Sequence, residues 1–525
     1  MTVPCRLLSN PSSTPLFDSA TTHRIEERAS AGLPAHAMME RAGVALARLA
    51  RAVAPHARGV WIAAGPGNNG GDGLVLASML KGAGVEVSVS LVGHSARALP
   101  PDAAWALQRA RDAGVTLLHG LPDAQALADI DLCVDALFGV GQTRAPEGEF
   151  AIAIDALNAC DAPTLGIDVP TGLCTDTGTA LGKSVVRATH TLTLLTAKVG
   201  LLTGTGRDVC GEIWFDDLGV QPAASDLPAA ALVGEADVAP LYPRRRQDGN
   251  KGNFGDVHIA GGAAGMVGAA LLAGHAASVA GAGRVLVHAH SSDHGGVLPV
   301  DVRYPELMLR AVIELQKAVR ENANATVVVG CGGGDDVAIE LAGCLSNAWR
   351  LVLDADALNA LARDAGLREQ LRRRAQRGQP TILTPHPLEA ARLLGATAAD
   401  VQADRPAAAR RLAADTGAVV VLKGSGTLIA TPGGQLMVNP TGDSRLATAG
   451  TGDVLAGWIG GSWSAQARAR GAATATSDLA LAHRVAVAAV FVHGRACDFA
   501  TGARLPLIAS ELARAISRAT EALID

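Results

Sequence analysis

Asp453 stands where a proton could be taken from a hydroxyl. In ATAGTGDVLAGWIG a Gly-rich turn runs straight into an apolar helical pattern. Several backbone N–H groups then converge on one point at a helix N-terminus, which makes an anion hole, and the carboxylate beside it can serve as base to a group attacking the bound phosphate. A carboxylate that only caps a helix is the competing account; the preceding Ala-Gly-Thr-Gly favours the anion hole. Only six lysines occur in the chain, and Lys251 in NKGNFGD and Lys423 in VLKGSGTLIA sit beside glycines at strand edges. There an ammonium can meet a phosphate while the backbone closes in, and we assign that role to Lys423. His386, between Pro385 and Pro387, is held in a stiff loop suited to a positioned hydrogen-bond donor. Asp354 and Asp356 in LVLDADALN end a strand, as magnesium ligands or as structural groups.

A second constellation lies upstream. WIAAGPGNNGGDGLVLASML reads as a strand, a loop with Gly65, Gly67, Gly70, Gly71 and Gly73, and a helix from about Leu74. Glycines let backbone approach a ligand closely, and Asn68, Asn69 and Asp72 add the hard oxygens that a ribose or an alkali cation uses. DLCVDALFGVGQTRAP places Asp135 at the carboxyl end of an apolar strand, and LGIDVPTGL does the same for Asp168 and Thr171. Ligands of open α/β sheets collect at such strand ends, so these loops are expected to converge.

The elements that position these residues alternate between short Val/Ile/Leu runs and Ala-rich helical stretches such as Ala37–Val53 and Ala103–Ala113. Strand then helix, repeated, predicts parallel sheets covered on both faces. The alternation lapses in a Pro- and Ala-rich stretch. We therefore expect an α/β protein of two three-layer α/β/α domains, residues 16–220 and 246–525, joined by a linker at 221–245. The halves share no fixed-period repeat.

Composition narrows the function. The 525 residues are 49% hydrophobic and only 3% aromatic, with a formal charge of −5. No basic field holds a phosphate backbone and stacking platforms are scarce, so nucleic acid is excluded as the main partner. The eight cysteines show no C-x-x-C pair or zinc spacing, which fits reduced thiols. The first residues carry no signal-peptide core, and Val267 to Ala282 falls short of a span, so we expect a cytoplasmic protein without a membrane partner.

GPGNNGGDGLVLA, DALFGVG and GIDVPTG resemble the signature segments of the NAD(P)H-hydrate epimerase family, which interconverts the R and S hydrates of NADH and NADPH. The resemblance implies a Rossmann-like domain with substrate contacts at Asn68, Asn69, Gly70, Gly71 and Asp72. It adds Gly139, Val140, Gly141, Gln142, Thr143, Arg144, Ala145 and Asp168. It implies potassium held by Asn69, Asp135 and Thr171, with Asp135 the first candidate for acid–base work. The family often has an aromatic and a Lys late in the FGxG loop; Gln142, Thr143 and Arg144 stand there instead.

NKGNFGDVHIAGG, YPELM, VVVGCGGG, LVLDADALN, LTPHPLEAARLLG, VLKGSGTLIA and ATAGTGDVLAG, in this order, look like the ADP-dependent NAD(P)H-hydrate dehydratase family of the ribokinase-like fold. In that family the nucleotide phosphorylates the substrate's C6 hydroxyl and phosphate then leaves. The resemblance implies Asp453 as the base, magnesium and ADP as cofactors, and a homo-oligomer. Hydrate contacts would be Gly334, His386, Pro387, Leu388, Glu389, Ala390, Ala391, Arg392 and Asp453. ADP contacts would be Lys423, Gly424, Ser425, Gly426 and Thr427, then Asp443, Ser444, Arg445, Leu446, Ala447, Thr448, Ala449, Gly450, Thr451 and Gly452. Three departures stand out: Leu388 replaces the usual Gly after TPHP, Met266 lies near a usual Tyr, and VGCGGG replaces VGPGLG. Together the two resemblances imply repair of both hydrate epimers to NADH or NADPH with release of AMP and phosphate. The alternative is a ribokinase-like small-molecule kinase with an N-terminal nucleotide-binding module.

Overall fold

The computed structural model describes residues 3–94, 98–290, 300–322, 324–470, 478–500 and 505–524. Two compact units divide the chain: Thr14–Ala231 with the first ten residues, and Leu232–Asp525 with Pro11–Ser13. The stretch 221–245 carries structure of its own, including the strand Ala230–Leu232 and the helix Glu235–Val238.

In the first unit, strand Gly59–Ala64 alternates its side chains between two cores. Val60, Ile62 and Ala64 join the core under helices Ala37–Val53 and Asn68–Gly82. Trp61 and Ala63 join the core under helix Glu149–Ala159. This period of two buries both faces, as a parallel sheet covered by helices requires. The eight strands run in the order Cys5–Arg6, Glu212–Asp216, His190–Leu194, Thr164–Ile167, Leu132–Ala136, Gly59–Ala64, Glu86–Leu91, Thr116–Leu118. All neighbouring pairs are parallel except the first. The chain leaves Gly59–Ala64 to one side and returns to its other side with Leu132–Ala136. That reversal opens a crevice at the carboxyl ends of these two strands, where doubly wound sheets bind ligands.

The helix after the Asn-Gly loop begins at Asn68, six residues before the expected start. Its glycines are steric necessities: a Cβ on Gly70 would lie 1.9 Å from Gly65 O, one on Gly71 2.5 Å from Met39 Cε, and one on Gly73 2.5 Å from Ala136 Cβ. Close packing of the helix start outweighs the poor helix propensity of glycine.

The second unit repeats the logic on a larger sheet. Met308–Ala311, Arg284–Ala289, Asp256–Gly261, Thr326–Val329, Arg350–Leu353, Thr381–Leu383 and Val419–Leu422 are parallel neighbours in that order. Leu428–Ala430 and Leu436–Val438 then extend it antiparallel. The reversal falls between Asp256–Gly261 and Thr326–Val329. Helices Val267–Val279, Thr451–Arg470 and Asp478–Arg495 cover one face; Val337–Asn347, Ala355–Arg363, Pro387–Leu394 and Arg405–Thr416 form a separate layer against the strands. Helix Thr451–Arg470 carries Trp458 and Trp463, both buried, five and ten positions beyond Asp453.

The expected helix in Val267 to Ala282 is present as Val267–Val279, and Ala270, Ala273, Ala276 and Ala277 are fully buried. Among the described residues one helix, Asp478–Phe499, is long and apolar enough to cross a membrane. Its apolar window is 72% buried within the protein, the position of a core helix.

Candidate active sites

A cavity of about 600 Å³ lies at the first reversal, lined by Gly67, Asn68, Asn69 and Asp72 from the Asn-Gly loop, Leu137–Gln142 from the FGxG loop, and Asp168. Thus three segments far apart in sequence meet at one crevice. Asp168 follows strand Thr164–Ile167 with φ at 65°, a left-handed conformation that Asp tolerates better than most residues. Its Oδ1 accepts from Lys198 Nζ, from Leu194 N at 3.1 Å and from Thr193 Oγ1 at 3.3 Å. Lys198 is itself fully buried and also donates to Leu194 O at 2.7 Å and Thr193 Oγ1 at 3.1 Å. The ammonium therefore has three acceptors and one counter-charge, which offsets the cost of burial. Burial, with Asp168, Glu26 and Asp102 nearby, pushes the Asp72 carboxyl well above the usual range.

Asp135 does not line this cavity. Its Oδ2 accepts from Thr171 N at 2.7 Å, and its Oδ1 accepts from Thr171 Oγ1 at 2.7 Å and Leu137 N at 3.2 Å. The carboxylate is fully buried, and desolvation pushes its pKa up to about 6 against those three donors. Phe138 N donates to Thr171 Oγ1 at 3.1 Å, so Asp135 and Thr171 together pin the start of the FGxG loop. Gln142 locks the same loop: its Nε2 donates to Gly139 O at 3.2 Å and its Oε1 accepts from Gly172 N at 2.6 Å. Asn69 packs against Gly139, and its Nδ2 is buried without an acceptor. Thr143 and Arg144 are exposed and, with Ala145, lie outside the cavity lining; Gly70 and Gly71 serve packing.

In the second unit the chemistry gathers where four strands end. Lys423 follows Val419–Leu422 and donates from Nζ to Asp354 Oδ1 at 2.7 Å. Asp354 follows Arg350–Leu353, next to Ala355 in the left-handed region at φ 46°. A Cβ on Gly452 would lie 3.4 Å from Lys423 Nζ and 3.7 Å from Asp354 Oδ2, so the anion-hole turn passes directly over this pair. Gly450, at φ 90°, turns the chain into helix Thr451–Arg470 and sets Asp453 in its first turn. Burial and the neighbouring Asp354 raise the Asp453 pKa to about 6, in spite of Lys423. One oxygen each of Asp354 and Asp453 and the Cys331 sulfur lie within 4.8 Å of one another.

The supporting loops are built from Arg405 and Asp443. Arg405, almost fully buried, donates to Lys423 O at 3.3 Å, Leu422 O at 3.4 Å and Gly426 O at 3.5 Å. Gly424, at φ 133°, makes room for it: a Cβ would meet Arg405 Nη1 at 2.7 Å. Ser425 is exposed and Thr427 Oγ1 donates to Gly424 O at 3.1 Å. Asp443 caps the turn Ser444–Leu446 and pairs with Arg445 at 2.7 Å. Thr448 Oγ1 donates to Leu507 O at 2.8 Å, and Thr451 Oγ1 to Leu446 O and Thr448 O at 2.9 Å.

His386 turns its hydrogen-bonding capacity toward its own helix. Nδ1 accepts from Leu388 N at 3.1 Å, and Nε2 lies 3.2 Å from Glu389 Oε1. Glu389 in turn accepts from His386 N at 2.8 Å, closing a capping box on helix Pro387–Leu394. Ala390 and Ala391 face the core, Leu388 is exposed, and Arg392 Nη1 donates to Asn359 Oδ1 at 2.6 Å. Asp356 accepts from Gly334 N at 2.9 Å and thereby fixes the Gly-rich turn. Asp356, Asn359 and Arg392 line an open cavity of about 440 Å³. Met266 Cε would be 3.9 Å from a Cβ on Gly334.

A cavity at the first sheet's reversal with a Lys–Asp couple in its wall, and a cluster of strand-end side chains beside the first turn of helix Thr451–Arg470, define an enzyme with two sites. Residues 35–200 match the family model described as YjeF-related protein N-terminus, and residues 257–518 match that of NAD(P)H-hydrate dehydratase. The chain is 36% identical over 436 residues to the bifunctional NAD(P)H-hydrate repair enzyme of Escherichia coli K12, covering 82% of this chain and 81% of the relative. It is 35% identical over 510 residues to that of Coxiella burnetii, covering 95% and 98%. A solved ADP/ATP-dependent NAD(P)H-hydrate dehydratase from Bacillus subtilis, co-crystallised with ATP and Mg2+, is 28% identical, covers 55% of this chain and 97% of its own, and superposes with a TM-score of 0.43. The chain belongs to the bifunctional NAD(P)H-hydrate repair enzymes. Its first unit is the epimerase and its second the dehydratase, which sets aside a small-molecule kinase with a nucleotide-binding module.

Proposed function

We propose that the second unit repairs the S hydrate with ADP and magnesium, and that the observation carrying this is Asp453 at the anion-hole helix beside the Lys423–Asp354 pair. The Gly450–Gly452 N–H groups and Lys423 hold the transferring phosphoryl group. Asp453 accepts the proton of the C6 hydroxyl as its oxygen forms the new P–O bond and the bond to AMP breaks. The phosphate ester then eliminates: the ring nitrogen lone pair expels phosphate, a ring proton is lost, and NADH or NADPH remains. Magnesium, when bound, neutralises charge on the diphosphate. Asp354, which has an oxygen within 4.8 Å of an Asp453 oxygen, would hold it.

In the first unit we assign proton transfer to Asp168 and Asp72 in place of Asp135. Asp168 lines the cavity as a carboxylate paired with Lys198, while Asp72 is held toward its protonated form. Carboxyl groups in such contrasting surroundings suit opposite roles as base and acid. Potassium would be held by Asn69, Asp135 and Thr171, whose side-chain oxygens are hard ligands of the kind it takes. When bound it supplies fixed positive charge.

The test mixes protein with equilibrated R and S NADPH hydrate, ADP, magnesium and potassium, and follows reduced nicotinamide absorbance alongside phosphate release. Conversion of both epimers with equal phosphate supports the reading. No chromophore with ADP or ATP overturns it.

A further inference from the structure

A second cavity of the dehydratase unit, of about 620 Å³, lies outside the residues assigned to the reaction. It sits at the amino ends of two central strands: Phe254 in its wall precedes Asp256–Gly261 and Gly281 precedes Arg284–Ala289, whereas Asp354 and Lys423 follow the carboxyl ends of theirs. Helix Thr451–Arg470 connects the two ends. Ser462 and Gln466 line the cavity nine and thirteen residues beyond Asp453, about 14–20 Å along the helix axis.

Arg245 is the cation of this wall. Its guanidinium carbon lies 3.9 Å from the centre of the Phe254 ring, and Nη2 donates to Gly281 O at 2.8 Å. Gly281, at φ 114°, permits that approach, since a Cβ there would lie 3.0 Å from Nη2. The fork is thus held in one orientation, yet the two carboxylates of the lining are engaged elsewhere, Asp248 with Arg246 at 2.7 Å and Glu521 with Ser517 Oγ at 3.4 Å. Among the described residues no carboxylate pairs with Arg245. In the same lining Ser462, 4% exposed, has its Oγ buried without a hydrogen-bond partner, and Leu241, Val279 and Ala465 supply apolar wall. A fixed guanidinium with N–H groups to spare, a buried hydroxyl and an apolar wall are complementary to a phosphate carried on a flat, largely apolar body, and the volume suits a molecule of nucleotide size. We infer that this cavity binds a nucleoside monophosphate, with its phosphate on Arg245 and its body against the apolar wall and Ser462. AMP is the member of that class which the dehydration leaves behind, so the choice of AMP as probe rests on the ADP reading, whereas the site itself does not.

The test photolabels the intact protein with 8-azido-AMP in the absence of hydrate and maps the labelled peptides. Label is expected on residues 241–254, 279–281 or 462–466, separate from any on 423–452. Excess AMP removes it, while adenosine and inorganic phosphate, each offering half of the contacts, compete more weakly. In Arg245→Ala the concentration giving half-maximal label at these positions rises at least about tenfold, as for loss of a charge-assisted hydrogen bond, and NADPH formation from the S hydrate stays at the wild-type rate. Label confined to 423–452 or to the first unit, label unmoved in Arg245→Ala, or competition by phosphate alone as strong as by AMP overturns the proposal. Should Arg245→Ala not fold, Ala465→Leu decides: it narrows the cavity and leaves Arg245 in place, and label that persists there overturns the proposal equally. Label at the cavity with no NADPH formed from ADP means that the dehydratase reading has failed and this site stands; NADPH without that label means the reverse.

Discussion

Lys423 Nζ lies 2.7 Å from Asp354 Oδ1, beneath the Gly452 backbone of the anion hole. One ammonium thus balances a buried carboxylate and lowers the proton affinity of Asp453, and in the proposed mechanism it also holds the phosphoryl group. Lys423→Ala removes all three at once. We expect KM for ADP to rise at least about tenfold and the acid limb of kcat to move up, since an uncompensated carboxylate beside the base disfavours its ionisation. Steady-state NADPH formation at several pH values checks both.

Burial and the neighbouring Asp354 push the Asp453 carboxyl up to about 6. In its proposed role as base it works only when deprotonated, so dehydration should fall away as pH drops through about 6 and level off above it. Asp453→Asn should lower NADPH formation by roughly a thousandfold or more, while interconversion of R and S hydrates, followed by chromatography, continues unchanged.

Lys198→Met leaves the Asp168 carboxylate at the cavity wall without its counter-charge. Epimerisation should drop by about a hundredfold or more. In the coupled assay the S hydrate present at the start is converted normally, and the R hydrate persists; a second phase of NADPH formation at the wild-type rate would exclude a role for Lys198.

A separate pH effect acts on stability. His258 Nδ1 and His288 Nε2 are 2.9 Å apart between adjacent strands, and burial lowers both pKa values to about 4. The unfolded chain, with histidines near their ordinary value, binds more protons between about 6.5 and 4, so stability is lost as pH falls through that window. Tm of the second unit should decline over this range. In His288→Leu, which removes one titrating group from the pair, the decline should be shallower.

Much of this arrangement is legible in the sequence because it is local. Helix Ala37–Val53 has the expected ends, since its apolar spacing alone sets its buried face. The strand-end positions of Asp135, Asp168 and Lys423 follow from hydrophobic runs meeting glycines, and that of Asp354 from the run LVL breaking into DAD. Contacts between distant segments are less legible. Asp135 occupies the expected strand end, yet Thr171, thirty-six residues on, seals it from the cavity. Lys198 was open to inference as one of six lysines, lying inside the apolar run TLTLLTAKVG, but only the fold shows that it meets Asp168. Arg405 gives no local sign of its role, because the carbonyls it braces belong to the later Lys423 loop. His386 shows a third limit: its Pro-flanked loop is stiff as expected, but that stiffness serves a helix cap.

The helix that begins at the anion hole also carries an optical reporter. Trp458 donates from Nε1 to Tyr242 Oη at 3.1 Å, and Trp463 is buried with its Nε1 unbonded, both on the same rigid rod as Asp453. An indole in an apolar, unbonded setting emits differently from one tied to a phenol. Displacement of this rod on nucleotide binding would therefore change intrinsic fluorescence, giving occupancy of the dehydratase site a signal that needs no label and no turnover.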